Sequence, residues 1–288
     1  MKATFPKISV ICTCFNHEHY VIESLQSVLN QIYKNYELIV VDDGSSDKST
    51  DVIERFLKQH PEITFIRLEK NEGICKAFNT AFKICSGDLI VDLAADDVLL
   101  PEHLESGVKI FDMLDDTYGV IFGDAEWIDA QGDRLCFHSE KYPHNTIPQG
   151  NIYKDLIERY FICSPSMIFR RAVVHALGGY DEKLTYEDFD FWIRSSRTFN
   201  YYYHEDVVVK KRKLKNSLSQ NQFKILNRHN YSTYLVCCKI RDLNRTIAET
   251  QALNRRIKYE IRQCIRTLDF RLSLKYFVLW MKNKAGKG

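Results

Sequence analysis

The chain has 288 residues, of which 45% are hydrophobic and 27% are charged, as is common in soluble globular proteins. Its formal net charge of +2 is nearly neutral, so the composition gives no reason to expect a nucleic-acid partner. The chain has nine cysteines, an odd number, which fits a reducing compartment better than a disulfide framework. Its start shows no signal-peptide pattern, and it contains no apolar run of the roughly 18 residues that a membrane-spanning helix needs. These observations favour a cytoplasmic protein.

Short apolar runs alternate with amphipathic segments along the first 114 residues. The runs that predict strands cover residues 8–12, 36–41, 63–70 and 88–97. The segments with helical spacing cover residues 20–32, 50–60, 73–87 and 101–114. Strands that alternate with helices predict an α/β fold, with a mostly parallel central sheet and helices on both of its faces.

Polar side chains follow three of the predicted strands at their carboxyl ends. They are Asn16 after the first strand, Asp42 and Asp43 after the second, and Asp96 and Asp97 after the fourth. Open α/β sheets bind ligands outside the carboxyl ends of their strands. We therefore expect these side chains at one rim of the sheet, lining a binding site.

The stretch CTCFNHEH, residues 12–19, holds two cysteines and two histidines and raises the question of a zinc site. Structural zinc sites usually pair cysteines about two to four residues apart and add a well-separated second pair of ligands. Cys12 and Cys14 instead share one face of a predicted strand with apolar residues, which favours small buried side chains. We expect His17 and His19 to lie in an exposed loop.

Three blocks of the sequence, in this order, resemble the inverting family 2 glycosyltransferases with the GT-A fold. The blocks are SVICTCFNHEHYVIESLQSVLNQIYKNYELIVVDDGSSDKSTDVIE (9–54), NEGICKAFNTAFKICSGDLIVDLAADDVLLPEHL (71–104) and SPSMIFRRAVVHALGGYDEKLTYEDFDFWIRSS (164–196). With their connections they span about residues 8–219. The resemblance implies a GT-A nucleotide-sugar-binding fold.

The resemblance also implies that a nucleotide binds where the first strands end. The candidate residues are Thr13, Cys14, Phe15, Asn16, Asp42, Asp43, Lys76, Asn79 and Arg212. In this assignment Asp42 pairs with the N–H edge of the base, Asp43 supports the loop or the ribose, and Arg212 reaches the diphosphate. The residues alone leave two alternatives open: the acids after the second strand cap the next helix, and the basic residues are simply solvated.

Asp96 is the candidate metal ligand, because Mn²⁺ or Mg²⁺ binds one or two carboxylates together with substrate phosphates. Such an ion offsets the charge that develops on a leaving nucleoside diphosphate. The segment LAADD departs from the family pattern Asp-x-Asp-Asp, because Ala94 occupies the first acidic position. We do not expect Asp92 to replace that acid. Asp97 is assigned to the donor and acceptor pocket, or to the cap of the following helix.

The resemblance assigns the catalytic base to Asp188, the second acid of the segment TYEDFDF. An inverting transfer needs one carboxylate that accepts the proton of the acceptor hydroxyl. Gly179, Asp181 and Glu187 are expected to shape the donor and acceptor pocket. Asp190 is the rival base, but a position two residues further along a helix should turn it away.

A shift in charge divides the chain, because the region after about residue 207 is basic. We expect a catalytic domain over residues 1–219 and a basic helical C-terminal extension over residues 220–288. The first half of the extension is expected to pack on the catalytic domain or on a second subunit. Its last 20 residues mix aromatic and basic side chains, as in a helix lying on an anionic inner-membrane surface.

The resemblance implies an inverting glycosyltransferase that moves a sugar from a nucleotide-sugar donor, with a UDP-sugar as the expected donor, to a saccharide or lipid-linked saccharide. The resemblance and the basic extension suggest surface polysaccharide synthesis. The expected partners are the donor, the acceptor, and either the membrane surface or further copies of the chain. The alternative is a non-catalytic nucleotide-sugar-binding or scaffold protein of the same fold, which Ala94 motivates.

Overall fold

The computed structural model describes residues 5–143, 146–214 and 228–285. The strands are β1 (Ile8–Cys14), β2 (Tyr36–Asp42), β3 (Thr64–Arg67), β4 (Leu89–Ala94), β5 (Val98–Leu99), β6 (Tyr118–Ile128), β7 (Arg134–Phe137), β8 (Met167–Arg170) and β9 (Asn200–Arg212). The α-helices are α1 (Val21–Leu29), α2 (Ser49–Leu57), α3 (Ile74–Phe82), α4 (His103–Met113), α5 (Tyr153–Glu158), α6 (Arg171–Leu177), α7 (Asp188–Ser195), α8 (Arg228–Leu243), α9 (Ile247–Arg266) and α10 (Phe270–Ala285). The predicted alternation over the first 114 residues is confirmed.

The central sheet has the strand order β3-β2-β1-β4-β8-β6-β9-β5, and β7 pairs with β6 beside this path. Strands β3, β2, β1 and β4 are all parallel, as the alternation of strands and helices predicts. Strand β8 runs antiparallel to β4 and β6, while β9 is parallel to β6 and antiparallel to β5. Strands from the second half of the chain therefore extend a parallel half-sheet with mixed pairings.

Both faces of the parallel half-sheet are covered, so β1 is buried along its whole length and β2 over its last five residues. Ile11 of β1 belongs to the same core as Phe78 of α3. Its neighbour Val10 belongs to a second core, which contains Leu25 of α1. Successive strand residues point to opposite faces, and the polar loops at the carboxyl ends of the strands are left to form a site.

The helices α8, α9 and α10 join the core that contains α3 and α7. Val236, Leu253 and Tyr276, one from each helix, are buried there. Tyr153 Oη of α5 also donates to Asn244 Oδ1 after α8, at 2.9 Å. The packing expected for the first half of the extension is thus confirmed for α8 and α9, and α10 packs on the same core. The expected boundary between residues 219 and 220 lies outside the described residues. In the described ranges, no helix combines the length and apolar content that crossing a bilayer requires.

Candidate active site

The carboxyl ends of β1, β2 and β4 meet at one rim of the sheet. Cys14 is paired with Asp42 across β1 and β2, and Thr13 with Ala94 across β1 and β4. Beyond β2 the pairing continues, since the Asp43 N–H donates to the Cys14 carbonyl at 2.8 Å. The polar segments that follow these strands are therefore adjacent, as predicted.

Asp42 is fully buried at the end of β2. Its Oδ1 accepts hydrogen bonds from Ser45 N at 2.9 Å and Thr50 Oγ1 at 3.2 Å. Its Oδ2 is buried and has no hydrogen-bond partner among the described residues. An unsatisfied buried acceptor costs roughly 1–3 kcal/mol, so Asp42 carries an atom that a ligand N–H group would satisfy. The start of α2 is bonded by another acid, because Ser49 N donates to Asp47 Oδ1 at 2.9 Å.

Asp43 holds the loop before α3. Its carboxylate accepts hydrogen bonds from Glu72 N at 2.8 Å and Gly73 N at 2.9 Å. Gly73 has a φ of +95°, a conformation that favours glycine. Burial raises the pKa of Asp43 to about 6 against the lowering effect of the Gly73 N–H, and the charge of Asp42 adds to the rise. Asp43 therefore supports the loop, which is one of its two expected roles.

Asn16 ties the loop after β1 to the loop after β2. It adopts a φ of +59°, and its Oδ1 accepts a hydrogen bond from Ser46 N at 2.8 Å. Thr13 and Cys14 are buried, whereas Phe15 is exposed. Phe15 is therefore the side chain of this segment with the largest surface for a ligand.

The two cysteines of the first strand are buried among apolar side chains, as predicted. Burial raises the pKa of Cys12 well above its usual range and that of Cys14 to about 12. Both thiols are thus protonated at neutral pH, whereas zinc binds the thiolate. His19 is exposed as expected, but His17 is partly buried. The main-chain N–H of His17 donates to Ser49 Oγ at 2.9 Å, which holds this loop against the start of α2.

The two acids after β4, Asp96 and Asp97, differ in the hydrogen bonding of their carboxylates. Asp97 is fully buried, and its oxygens accept hydrogen bonds from Lys211 Nζ at 3.0 Å and Arg212 N at 2.9 Å. The Asp96 carboxylate is bonded by none of the described residues; only its carbonyl oxygen accepts, from Arg212 Nε at 3.0 Å. Asp97 thus anchors β9 to the segment between β4 and β5, residues 95–97, which we call the acid loop, and it does not cap α4. Sequence reasoning missed Lys211, because nothing in the run KKRK distinguishes the residue that pairs with an acid.

Arg212 is almost completely buried, and its guanidinium group is occupied within the protein. Nε donates to the Asp96 carbonyl, Nη1 donates to the Asp129 carbonyl at 3.1 Å, and Nη2 forms an ion pair with Glu23 Oε2 at 2.5 Å. The group also lies 4.8 Å from the ring centroid of Tyr20. Arg212 supports the acid loop from within the protein, and its contact with a diphosphate stays a prediction.

Asp188 is the first residue of α7, where the helix N-terminus favours a negative charge. Ser164 Oγ donates a hydrogen bond to its Oδ1. Burial raises the pKa of the neighbouring Cys163 thiol to about 12, and the charges of Lys211, Asp97 and Asp188 all act on that thiol. Asp188 and Asp97 therefore both lie near the Cys163 thiol. Ser164 was not singled out by the sequence, because its contact with α7 is formed only in the fold.

Two further carboxyl groups lie beside Asp188. Burial raises the pKa of Glu187 well above its usual range, and the charges of Asp188 and Asp92 raise it further. Burial also raises the pKa of Asp92 to about 7, although Tyr180 Oη donates to Asp92 Oδ2 at 2.9 Å. Asp92 therefore belongs to a carboxyl cluster with Glu187 and Asp188, a role that sequence reasoning did not anticipate.

Residues 9–178 match the family model described as "Glycosyl transferase family 2". The chain belongs to this family. An uncharacterized glycosyltransferase of Rickettsia typhi is 30% identical over 215 residues, which cover 72% of this chain and 64% of the relative. One from Methanocaldococcus jannaschii is 31% identical over 231 residues, which cover 78% of this chain and 73% of the relative. The match spans 34% of a Rickettsia conorii relative, so several of these relatives are much longer than the matched region.

Solved structures show the same fold for this family 2 chain. S. aureus TarS 1-349 in complex with UDP-GlcNAc is similar with a TM-score of 0.68 at 20% identity, over 96% of this chain and 79% of that one. The mannosyltransferase PcManGT from Pyrobaculum calidifontis in complex with GDP-Man and Mn²⁺ is similar with a TM-score of 0.59 at 16% identity, over 98% and 88%. The predicted GT-A fold is confirmed.

In this family 2 protein, Asn79 fastens α3 to the segment after α6. Its Nδ2 donates to the Tyr180 carbonyl at 2.9 Å, and its Oδ1 accepts from Tyr180 N at 2.8 Å. Gly179 has a φ of +89°, and a Cβ there would lie 2.7 Å from Asn79 Oδ1. Lys76 forms an ion pair with Glu72 on the surface. Both polar groups are thus engaged within the protein, and their contact with the nucleotide stays a prediction.

Asp190 is buried and takes part in an ion-pair network with partly exposed partners. Its carboxylate pairs with Arg194 Nε and with Lys239 Nζ, each at 2.6 Å. Lys239 of α8 also pairs with Asp181 at 2.6 Å. Asp190 is therefore neutralised apart from Asp188, by Arg194 of the same helix and by Lys239. Through Lys239 the extension contacts the segment expected to shape the acceptor pocket.

Proposed function

We propose that this family 2 glycosyltransferase moves a sugar from a nucleotide-sugar donor to a saccharide or lipid-linked saccharide, with inversion at the anomeric carbon, in surface polysaccharide synthesis. The observation that carries the proposal is the position of Asp188. This residue is partly exposed, accepts a hydrogen bond from Ser164 and lies near the Cys163 thiol, as does Asp97, the neighbour of Asp96. A direct displacement needs this arrangement, with a base on one side of the sugar and charge neutralisation of the leaving group on the other.

Asp188 is assigned the role of general base. It accepts the proton of the acceptor hydroxyl while that oxygen bonds to the anomeric carbon, and the bond to the diphosphate breaks with its electron pair leaving on the diphosphate. Burial and the neighbouring carboxylates raise the pKa of Glu187 and so favour its protonated form. Protonation of Glu187 limits the charge repulsion beside Asp188.

Asp96 is the proposed ligand of Mn²⁺ or Mg²⁺. The fit rests on its open carboxylate beside the fully bonded Asp97. Within the described ranges, no three His, Cys, Asp or Glu side chains converge as a metal site, so the ion would also need phosphate and water oxygens. Such an ion supplies positive charge to the leaving diphosphate. The Mn²⁺ in the PcManGT complex supports this assignment.

The proposed donor is a UDP-sugar, and Asp42 supports this choice. Of the two carboxylate oxygens of Asp42, Oδ1 accepts hydrogen bonds within the protein, and Oδ2 has no hydrogen-bond donor among the described residues. The imide edge of uracil offers one N–H group, whereas guanine offers N–H groups on two neighbouring nitrogens. One open acceptor therefore matches uracil, and the UDP-GlcNAc complex of TarS is consistent with this match.

Thermal unfolding with UDP, UDP-GlcNAc and GDP, each with and without Mn²⁺, tests the proposal. A ligand that binds the folded protein but not the unfolded chain raises the Tm. We expect uridine nucleotides to raise the Tm only when Mn²⁺ is present, because the proposed ion bridges Asp96 to the diphosphate. Asp96→Ala should abolish the shift, whereas Asp112→Ala, at an exposed acid of α4, should keep it. Asp188→Asn should also keep the shift but should lose UDP release from the donor.

The outcomes separate the two function classes. No Tm shift with any nucleotide would contradict nucleotide-sugar binding altogether. A shift without UDP release by the native chain, across a panel of donors, would favour the non-catalytic alternative that Ala94 motivates. Undiminished UDP release by Asp188→Asn would remove the base assignment while leaving donor binding intact.

A further inference from the structure

Helix α10 exposes a row of large apolar side chains. The exposed fractions are 64% for Phe270, 64% for Leu274, 48% for Phe277, 45% for Val278 and 49% for Met281. Their spacing of three and four residues places them on one face of the helix. Ile265 and Leu268, just before α10, are exposed by 51% and 58%. Contiguous apolar patches on a protein surface mark interaction sites.

The opposite face of α10 is already used for folding. Leu272, Tyr276 and Leu279 are buried in the core that α8 and α9 share. The helix is therefore apolar on two faces, and only one of them is explained by the fold. The buried face accounts for the packing of α10 on the protein, so the exposed apolar row indicates a further partner.

The charges around the outer row identify the partner. Residues 261–288 contain seven Lys and Arg residues and one acid. That acid, Asp269, accepts a hydrogen bond from Leu272 N at 3.0 Å at the start of α10. Arg271, Lys275 and Lys282 are exposed along the helix. An apolar face bordered by basic side chains is the pattern of a helix that lies in the interface of an anionic bilayer.

We propose that the outer face of α10 is a docking surface for an anionic lipid bilayer. The apolar row inserts among the acyl chains near the headgroups, and the flanking Lys and Arg side chains contact lipid phosphates. A second copy of this chain fits less well, because a two-fold contact through α10 would bring two basic faces together. The proposal goes beyond the proposed function, since it requires neither donor nor acceptor.

Flotation of the full-length chain with vesicles tests the proposal. Vesicles of phosphatidylcholine alone are compared with equimolar phosphatidylcholine and phosphatidylglycerol. We expect the chain to float with the anionic vesicles and to remain unbound with the neutral ones. Raising the salt concentration should weaken binding, because the electrostatic part is screened.

Two variants separate the apolar and the basic contributions. Leu274→Ser/Phe277→Ser should abolish flotation, whereas Ile84→Ser/Met113→Ser, at exposed apolar positions elsewhere, should not change it. Arg271→Gln/Lys282→Gln should lower the partition coefficient about five-fold for each removed charge. The Tm of each variant confirms that it is folded.

Three results would overturn the proposal. The first is absence of flotation by the native chain with anionic vesicles, and the second is equal flotation by the native chain and Leu274→Ser/Phe277→Ser. The third is a native dimer that this double substitution converts to a monomer, without any vesicle binding. That last result, measured by analytical ultracentrifugation, would make the outer face of α10 an interface between copies of the chain.

Discussion

Replacing Asp92 by asparagine should stabilise the protein, and more so at pH 8 than at pH 5. Burial raises the pKa of Asp92 from 3.8 to about 7 in the folded state, so the folded protein binds this proton more tightly than the unfolded chain. The contribution of such a group to stability falls as the pH rises from 3.8 through 7. Between pH 5 and pH 7 the difference of two pH units, at about 1.4 kcal/mol per unit, amounts to about 3 kcal/mol.

The assay is urea-induced unfolding of both proteins at pH 5 and pH 8, with the free energy of unfolding extrapolated to water. The amide oxygen of the introduced asparagine can still accept the hydrogen bond that Tyr180 Oη donates to Asp92 Oδ2, so the substitution removes the charge and keeps the contact. The gain in stability should be about 3 kcal/mol larger at pH 8 than at pH 5. Asp112→Asn, at an exposed acid, is the matched control and should show no such difference. An equal gain at both pH values, or a loss at pH 8, would refute the reasoning.

Three further substitutions test individual contacts. Gly179→Ala should lower the free energy of unfolding by about 2–4 kcal/mol, through backbone strain and a 2.7 Å contact between the new Cβ and Asn79 Oδ1 of α3. In the control Gly178→Ala the new Cβ would meet nothing within 4 Å, so only the backbone strain should lower the stability. Equal losses of the two variants in urea unfolding would contradict the predicted clash. Lys211→Met should cost about 3 kcal/mol by leaving the buried Asp97 without its cation, and adding Asp97→Asn should recover part of this loss. Ser164→Ala should lower kcat about ten-fold and shift the acidic limb of the kcat/KM pH profile to higher pH, because Asp188 loses the hydrogen bond that stabilises its charge. An unchanged pH profile would remove Ser164 from the mechanism.

The parallel half of the fold could be predicted because its signal is local. Apolar runs of strand length, separated by amphipathic segments, identify strands and helices from neighbouring residues alone. The β1–β2 and β1–β4 registers then place Asp42 and Ala94 beside the end of β1, as expected for the carboxyl ends of parallel strands. The mixed half was not predicted, since the positions of β8 and β9 in the sheet depend on pairing with strands far away in the sequence.

The candidate site could be located from the sequence, but the state of each polar group in it could not. Arg212 was expected to reach the diphosphate, which stays a prediction; what the sequence did not indicate is that its guanidinium group is bonded to Glu23 and to the carbonyls of Asp96 and Asp129. Asp92 was not expected to replace the acid lost at Ala94, and it lies instead near Glu187 and the proposed base Asp188. Both outcomes follow from long-range contacts, which leave no mark on local periodicity.

By itself, the sequence determined that a parallel sheet ends in acids along one rim, because strand alternation and the position of each acid after its strand are local properties. Only the tertiary structure decided which carboxylate of the pair Asp96 and Asp97 is hydrogen-bonded within the described residues and which is not. Lys211, which occupies Asp97, lies 114 residues further along the chain, and it arrives there because β9 pairs with β5. Charge pairing over such a distance is fixed by the register of the folded sheet, and two adjacent aspartates in a sequence do not reveal it.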